Sequence, residues 1–582
     1  MKIQIFKLLI LTLYIASMTG CKDLVDLNRF PLDRVSDEDY WKTVNDLNLY
    51  INQFYTVFNP GTSDQLQIVF TADMQTDDFT YVEANERLRG SRSVPSTVSN
   101  SDIWWVRYRN IRSINYFFDN YQRCEESGYE PIVGAAHFFR AWFYFNLVKE
   151  YGDVPYFTKA LNTNSEELYM ARTPRNQVVD AIIEDLDKAI NYLPSGKQLG
   201  GTKLSQEIAL LLKSRVCLYE GTWEKYHTSD VFGVSNPNPE KYLNLAVEAA
   251  NSLIQSKEFS IYSTESPEWD YFFFSQIDYS NNMEVLFWKK YDINIGVGHA
   301  RQFQIATGKS AGIGLTKSLI ESYLCTDGKP ISQSALYRGD GDLKTLTTNR
   351  DPRIIQTIFT PGFPLQINGK DTIFFVRPAV DQAAHTVCPT GYQLNKTLNF
   401  DPIHHKSLDT QNDGFTGWIL FRYAEALLNY AEAKAELGTL TQPDIDKTIK
   451  LLRDRVGMPN LIIADIPNDP NWLFPSLSPV INEIRRERRI EFVADGFRWD
   501  DIARWAAAND LIIGKRPMGG KFNSIDYPDL SAIDYRLTDG YFDPLGDQLP
   551  GGYGFMPNRD YLSPIATEEL TLNPNLKQNP GW

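Results

Sequence analysis

Few stretches of this 582-residue sequence combine residue types at spacings that could do chemistry. Gly308-Lys309-Ser310-Ala311-Gly312 fits G-x-S-x-G, the turn that lifts a nucleophilic serine from the end of a buried strand. The residues before it, HARQFQIAT, are polar and mixed rather than strand-like. His385, His404 and His405 lie downstream with Asp351 between, so a triad order can be drawn, but no strand–helix alternation exists to hold it. The overlapping ATGKS lacks the first glycine of a phosphate-binding loop, because Phe303 stands in its place. Asp409, Gln411 and Asp413 imitate half a calcium loop, but Leu420 occupies the position of the bidentate glutamate. The adjacent His404 and His405 belong to no metal-ligand spacing, and neither a metal nor a cofactor is expected. A hydrolase centred on Ser310 therefore stays a remote alternative.

Two loops hold a different chemistry. One runs from Asp77-Asp78-Phe79-Thr80-Tyr81 through Arg87, Arg89 and Arg92 into Trp104-Trp105. The other follows Trp288 and Tyr291 into a glycine-rich stretch with His299 and Arg301. A sugar offers an apolar C–H face to an aromatic plane and a rim of hydroxyls to Asp, Asn and Arg, and both loops supply that mixture. We take Asp78, Tyr81, Arg89, Trp104, Trp288, Tyr291 and Arg301 as ligand-binding candidates. Trp104 and Trp288 each lie beside an apolar run, so core packing is the competing assignment for both.

Composition narrows the class. The formal charge is −15, which lacks the basic footprint that nucleic acid demands. Hydrophobic residues at 43% and charged residues at 23% are ordinary for a globular chain, while aromatics reach 13%, with 12 Trp, 31 Tyr and 33 Phe. Residues 8–16 form an apolar run after Lys2 and Lys7 that falls short of the roughly 20 residues of a spanning helix. It ends in Ser-Met-Thr-Gly-Cys21, which resembles a lipoprotein signal cleaved before a lipid-bearing cysteine, with residues 1–20 removed. Cys124, Cys217, Cys325 and Cys388 show no paired spacing, and their disulfide state stays open.

The elements that must position the candidate residues are helical. Aromatic-rich helical patterns cover residues 40–58 and 104–121; a second set covers 135–152 and 177–194, a third 204–221 and 241–259, and a fourth 421–438 and 444–457. Three of these end in KEYG, YEG and AELG, where a glycine past the last turn closes the helix. Gly152 and Gly221 lie 69 residues apart, about twice the 34-residue tetratricopeptide period. Between 259 and 415 short strand-like runs replace the helical signal, including MEVLFWKKY and DTIFFVRP. In NEIRRERRIEF (482–492) four Arg meet three Glu; such a run forms i,i+4 ion pairs on a solvated or packed face.

Taken together these blocks resemble the SusD/RagB family of nutrient-binding outer-membrane lipoproteins of the Bacteroidetes type. The residues that carry the resemblance span nearly the whole chain: Leu27, Pro31, Ser36, Tyr40-Trp41 and Asp46; Trp104, Tyr108, Ile111 and Asn115; FFRAWFYFNLVKEYGDVPYF; FRYAEALLNYAEAKAELG; NEIRRERRIEFVADGFRWDDIARW; and the terminal YLSPIATEELTLNPNLKQNPGW. Asp495 and Ser563 depart from the family's usual Glu and aromatic. The resemblance implies a mostly α fold, with four tetratricopeptide-like helix pairs, a loop-rich insertion and an irregular C-terminal region. The expected segments are 21–260, 261–417 and 418–582. It further implies a non-catalytic, cell-surface protein with no cofactor, lipid-anchored through Cys21. Such a protein captures oligosaccharide, or in some members peptide or another nutrient. It delivers the ligand to a TonB-dependent SusC-like outer-membrane transporter.

Overall fold

The computed structural model of the chain describes residues 37–58, 73, 76–99, 102–263, 273–299, 310, 312–383, 386–404 and 414–582. Within them the molecule is a stack of helices laid side by side in nearly sequential order. Helices α1 (Val44–Asn52), α2 (Ile103–Asn120), α3 (Glu130–Tyr151), α4 (Arg175–Tyr192), α5 (Gln206–Tyr226) and α6 (Pro239–Ser256) lead to α7 (Tyr423–Glu436). Each of α3 to α6 packs on its predecessor, and α6 packs on α7, as in a helical-repeat solenoid. The expected pairs 135–152 with 177–194 and 204–221 with 241–259 are in direct contact as α3–α4 and α5–α6. Aromatics join the first pair: Trp41 lies 6.2 Å from Phe117 on α2, and Tyr50 of α1 stacks on the same ring.

Helix α3 is apolar nearly all round and buries fifteen of its 22 residues, as the sequence of a central element should. Gly152 closes it with a positive φ of 71°. Gly221 plays a different part from the one its sequence context suggests. It lies inside α5, which continues to Tyr226, and a Cβ there would stand 2.8 Å from the Leu243 side chain of α6. The glycine sets how closely these two helices approach.

Strands from the region between α6 and α7, joined by one from between α1 and α2, form short antiparallel ribbons. Strand β1 (Phe79–Tyr81) pairs with β3 (Ile313–Leu315), β2 (Val285–Lys289) with β6 (Trp418–Arg422), and β4 (Pro364–Asn368) with β5 (Asp371–Phe374). After α7 come α8 (Ile449–Arg455), α9 (Pro479–Glu491), α10 (Arg498–Arg504) and the terminal α11 (Thr567–Leu572). Among the described residues no helix is long and apolar enough to cross a membrane. The four cysteines left open by spacing, Cys124, Cys217, Cys325 and Cys388, are separate buried thiols.

The Arg/Glu-rich helix α9 corrects the expectation of local i,i+4 pairing. Glu483, Arg485, Glu487, Arg488, Arg489 and Glu491 are all buried, and most of their ionic partners sit on other elements. Glu491 receives Arg422 Nη1 at 2.6 Å, Arg455 Nη2 at 2.6 Å and Arg353 Nη1 at 3.2 Å. Glu487 takes Arg353 Nη1 at 2.7 Å and Arg453 Nε at 2.8 Å. Helix α7 answers with a polar stripe along one side. Its Glu425 binds Arg215 of α5 through two bonds, Asn429 accepts from Arg488, and Glu432 is gripped by Arg504 and the Trp505 indole N–H. A buried charge is tolerated only when paired and hydrogen-bonded, so these partners must arrive together as the helices dock.

On its other faces α7 is small and tight. Ala426 and Ala433 are fully buried, so Ala433→Trp should overpack the seam and cost about 1–3 kcal/mol. A thermal melt reads this directly; an unchanged melting temperature would place Ala433 at the surface.

Candidate functional site

A cavity of about 630 Å³ opens along one side of α2. Helical spacing explains its lining. Trp104, Tyr108, Ile111 and Asn115 fall at i, i+4, i+7 and i+11 and form one stripe; Trp105, Arg109 and Arg112 form the adjoining one. Asp102 caps the helix, its Oδ1 accepting the Trp104 backbone N–H at 2.8 Å and the Tyr151 hydroxyl at 2.9 Å.

Three side chains of α2 then hold the opposite wall. The Tyr108 hydroxyl donates to Pro155 O at 2.9 Å, Arg112 Nε to Leu161 O at 2.8 Å, and Asn115 Nδ2 to Phe157 O and Lys159 O at 2.9 and 3.2 Å. Asn115 is itself held by Arg140, whose Nη1 donates to Oδ1 at 3.2 Å. The third wall comes from the end of the chain. Thr567 and Glu568 donate their backbone N–H groups to Pro95 O and Ser96 O, which seats α11. Asn573 Nδ2 donates to Leu168 O and Met170 O at 3.1 and 2.9 Å. Glu569, Asn573 and Leu576 complete the lining. Burial raises the Glu569 carboxyl pKa, offset in part by its hydrogen bond from Trp104.

The two adjacent tryptophans differ. Trp104 is only 6% exposed, its ring 4.9 Å from Tyr108 and 5.1 Å from Tyr151. Trp105 is 36% exposed at the cavity, with the Arg109 guanidinium 4.6 Å from its ring centroid. An aromatic face open to water, a stacked guanidinium and neighbouring amide and hydroxyl groups are what a sugar ring needs.

Of the ligand-binding candidates among the described residues, Trp104 lines this cavity, beside Trp105, which ends the same stretch of sequence. Asp78 belongs to the core: it is 2% exposed and its Oδ1 takes Arg489 Nε at 2.7 Å. Next to it, Asp77 is shared by Arg489 and Arg498. A carboxylate so enclosed has no surface to offer a ligand. Trp288 is likewise core, 2% exposed with its indole N–H donating to Gly200 O at 2.8 Å. Tyr291, 3% exposed, packs edge-on against the His299 ring at 4.6 Å. These corrections share one cause: residue type suits a sugar site, but the non-local partners that bury it are invisible in the local sequence.

Tyr81 is half-buried on β1 opposite Ile313, and Arg89 is exposed at the end of the short helix Glu86–Arg89. Arg87 and Arg92 are structural clamps: Arg87 binds Glu150 and lies over Trp499, while Arg92 reaches the Ser563 hydroxyl and lies over Trp582. Arg301 lies outside the described residues, as do Cys21, His385, His405 and the stretch 409–413. Ser310 does not stand as a nucleophile, because its hydroxyl donates to Ile313 O at 2.6 Å. Asp351, its proposed acid, is occupied by Arg353. His404 packs on Phe415 at 4.3 Å. Among the described residues no cluster of three or more His, Cys, Asp or Glu could hold a metal ion.

The chain is a helical-repeat scaffold with an aromatic-lined cleft on one side. The chain belongs to the SusD family. The profile of that family matches residues 279–582, and a second profile, described as "starch-binding associating with outer membrane", matches residues 31–218. Membership of this family makes it a non-catalytic protein. SusD-like protein P2 of Formosa agariphila is 24% identical over 579 residues, covering 97% of each chain. SusD-like protein P38 of the same organism is 23% identical over 510 residues, 85% of this chain and 90% of that one. A SusD-like protein from Bacteroides fragilis superposes with a TM-score of 0.71 at 22% identity, over 95% of this chain and all of the other. A SusD-like carbohydrate binding protein from the same species gives 0.69 at 20% identity, over 92% and 100%. At these identities the likeness carries the fold.

Proposed function

We propose that the protein is a cell-surface glycan-binding lipoprotein that captures oligosaccharide at the α2 cavity and passes it to a TonB-dependent, SusC-like outer-membrane transporter. The observation that carries this reading is the Trp105–Arg109 stack presented at a walled cavity. Support comes from the starch-binding, outer-membrane description of the profile matching residues 31–218, and from the carbohydrate-binding relative of the same fold. Tyr81 and Arg89 stand as a second contact locus, favoured because Arg89 is exposed and makes no ion pair among the described residues.

Calorimetry against a panel of polysaccharide oligomers and against a peptide digest tests the reading. Heat of binding is expected from at least one oligosaccharide and not from the digest; binding to the digest alone would reassign the ligand to peptides. Anchoring through Cys21 is tested separately. Cys21→Ala should move a folded protein to the soluble fraction, since acylation of that cysteine supplies the membrane affinity. The wild type should co-purify in mild detergent with a β-barrel through an interface above ~1,000 Å². A Cys21→Ala protein that stays in membranes lacking any transporter contradicts the anchor.

A further inference from the structure

The cavity combines its aromatic face with a cluster of basic side chains. The protein carries a formal charge of −15, yet the charged side chains lining the cavity are Arg109, Arg112, Lys159 and a single acid, Glu569. Lys159 is spoken for by an ion pair with Glu167. Arg109 and Arg112 have no carboxylate partner among the described residues. The arginines around α7 and α9 are matched closely: Arg215 binds Glu425, Arg504 binds Glu432, and Arg422 binds Glu284, Glu491 and Asp495. Two guanidiniums on successive turns of one helix, both lining one cavity and neither paired with a carboxylate among the described residues, leave that wall with uncompensated positive charge.

Their geometry suits an anion. Residues three apart on a helix bring their side chains to one side, about 5–6 Å apart at Cβ. Arg109 is held against Trp105, which leaves the in-plane N–H edge of the guanidinium available. Arg112 is fixed at Nε by Leu161 O, and its two Nη groups have no protein acceptor among the described residues. Guanidinium N–H groups meet carboxylate or sulfate oxygens in pairs, a geometry that hydroxyl groups reproduce less well. Glu569, the one acid of the lining, sits on the separate wall formed by α11.

Building on the carbohydrate reading above, we infer that the ring bound on Trp105 is anionic, a uronate or a sulfated pyranose, with its charged group held between Arg109 and Arg112. Carboxylate and sulfate share the chemistry that the two guanidiniums recognise, and the experiment separates them.

The test is calorimetry of the full chain with oligogalacturonate, a sulfated galactan oligomer, and neutral malto- and cello-oligosaccharides of equal length, each at low and at physiological ionic strength. The inference expects one or both anionic oligomers to bind at least ~10-fold tighter than the neutral ones, an advantage that shrinks with salt as ionic contacts are screened. Arg109→Gln/Arg112→Gln should erase that preference in a protein that still folds and still binds neutral oligomers, whereas the charge-matched control Lys344→Gln/Lys450→Gln should keep it. Neutral oligomers binding as tightly as both anionic ones would overturn the inference and leave the carbohydrate reading intact. No binding of any saccharide would overturn both. An anionic preference that survives in the double arginine variant would place the anion elsewhere and overturn the inference.

Discussion

Replacing Glu491 by alanine will cost the folded protein on the order of 3–5 kcal/mol, the range seen when one partner of a buried ion pair is removed. Glu491 is almost fully enclosed and accepts from Arg353, Arg422 and Arg455, which come from three separate segments of the chain. Its removal leaves those guanidiniums short of countercharge in a site that water does not reach. Urea unfolding of the variant measures the loss. The exposed pair Arg123–Asp37 is the matched control, and Arg123→Ala should cost less than ~1 kcal/mol. The same carboxylates make the fold acid-sensitive. Burial alone would raise the pKa of Glu491, but Arg455, Arg422 and Arg353 outweigh it and hold the carboxyl below its ordinary value of 4.5. At Glu432, Arg504 and Arg488 outweigh burial in the same direction. A folded-state pKa below the unfolded one contributes stability that is complete above the unfolded value and is lost as pH falls through the folded one. The midpoint for unfolding should therefore drop as pH falls below about 4.5. A midpoint unchanged down to pH 3 would mean that these carboxylates are not the groups holding α9.

Adjacent tryptophans on α2 should give opposite phenotypes. Trp105→Ala removes a half-open aromatic face and the seat of Arg109, so it should weaken saccharide binding by roughly 10- to 30-fold, or about 1.4–2 kcal/mol, with little change in stability. Trp104→Ala empties a core position between Tyr108 and Tyr151 and should lower stability by about 3–5 kcal/mol. Paired calorimetry and melting curves on both variants read the difference. Normal binding by a folded Trp105→Ala protein would remove the cavity from the account.

The scaffold was legible because its signal is local. Apolar stripes at helical spacing marked α3 to α7, and the short strand-like run DTIFFVRP marked β5. Helix α9 was legible as a helix but not as a core element. Its charges suggest i,i+4 pairs to any local reading, whereas its partners Asp77, Arg353, Arg422, Glu432 and Arg453 lie outside the helix on other segments of the chain. Gly221 misled for the same reason, since its role is set by the approach of Leu243 from α6 while α5 continues past it to Tyr226.

The candidate site was half legible. Aromatic and arginine content drew attention to the approach to Trp104-Trp105. The walls that turn α2 into a cavity are residues 155–163 and the C-terminal Glu569, Asn573 and Leu576, the latter more than 400 residues from α2. Asp78 and Trp288 are of residue types that suit a sugar site, and only their burial sets them apart from the residues lining the cavity.

The most direct test of the account is a crystal structure of the protein with a bound oligosaccharide identified by calorimetry. The account predicts a pyranose ring stacked on Trp105 inside the α2 cavity, within hydrogen-bonding distance of Arg109 or Arg112. A sugar bound elsewhere, for instance against Tyr81 and Arg89 with the cavity holding only water, would contradict it.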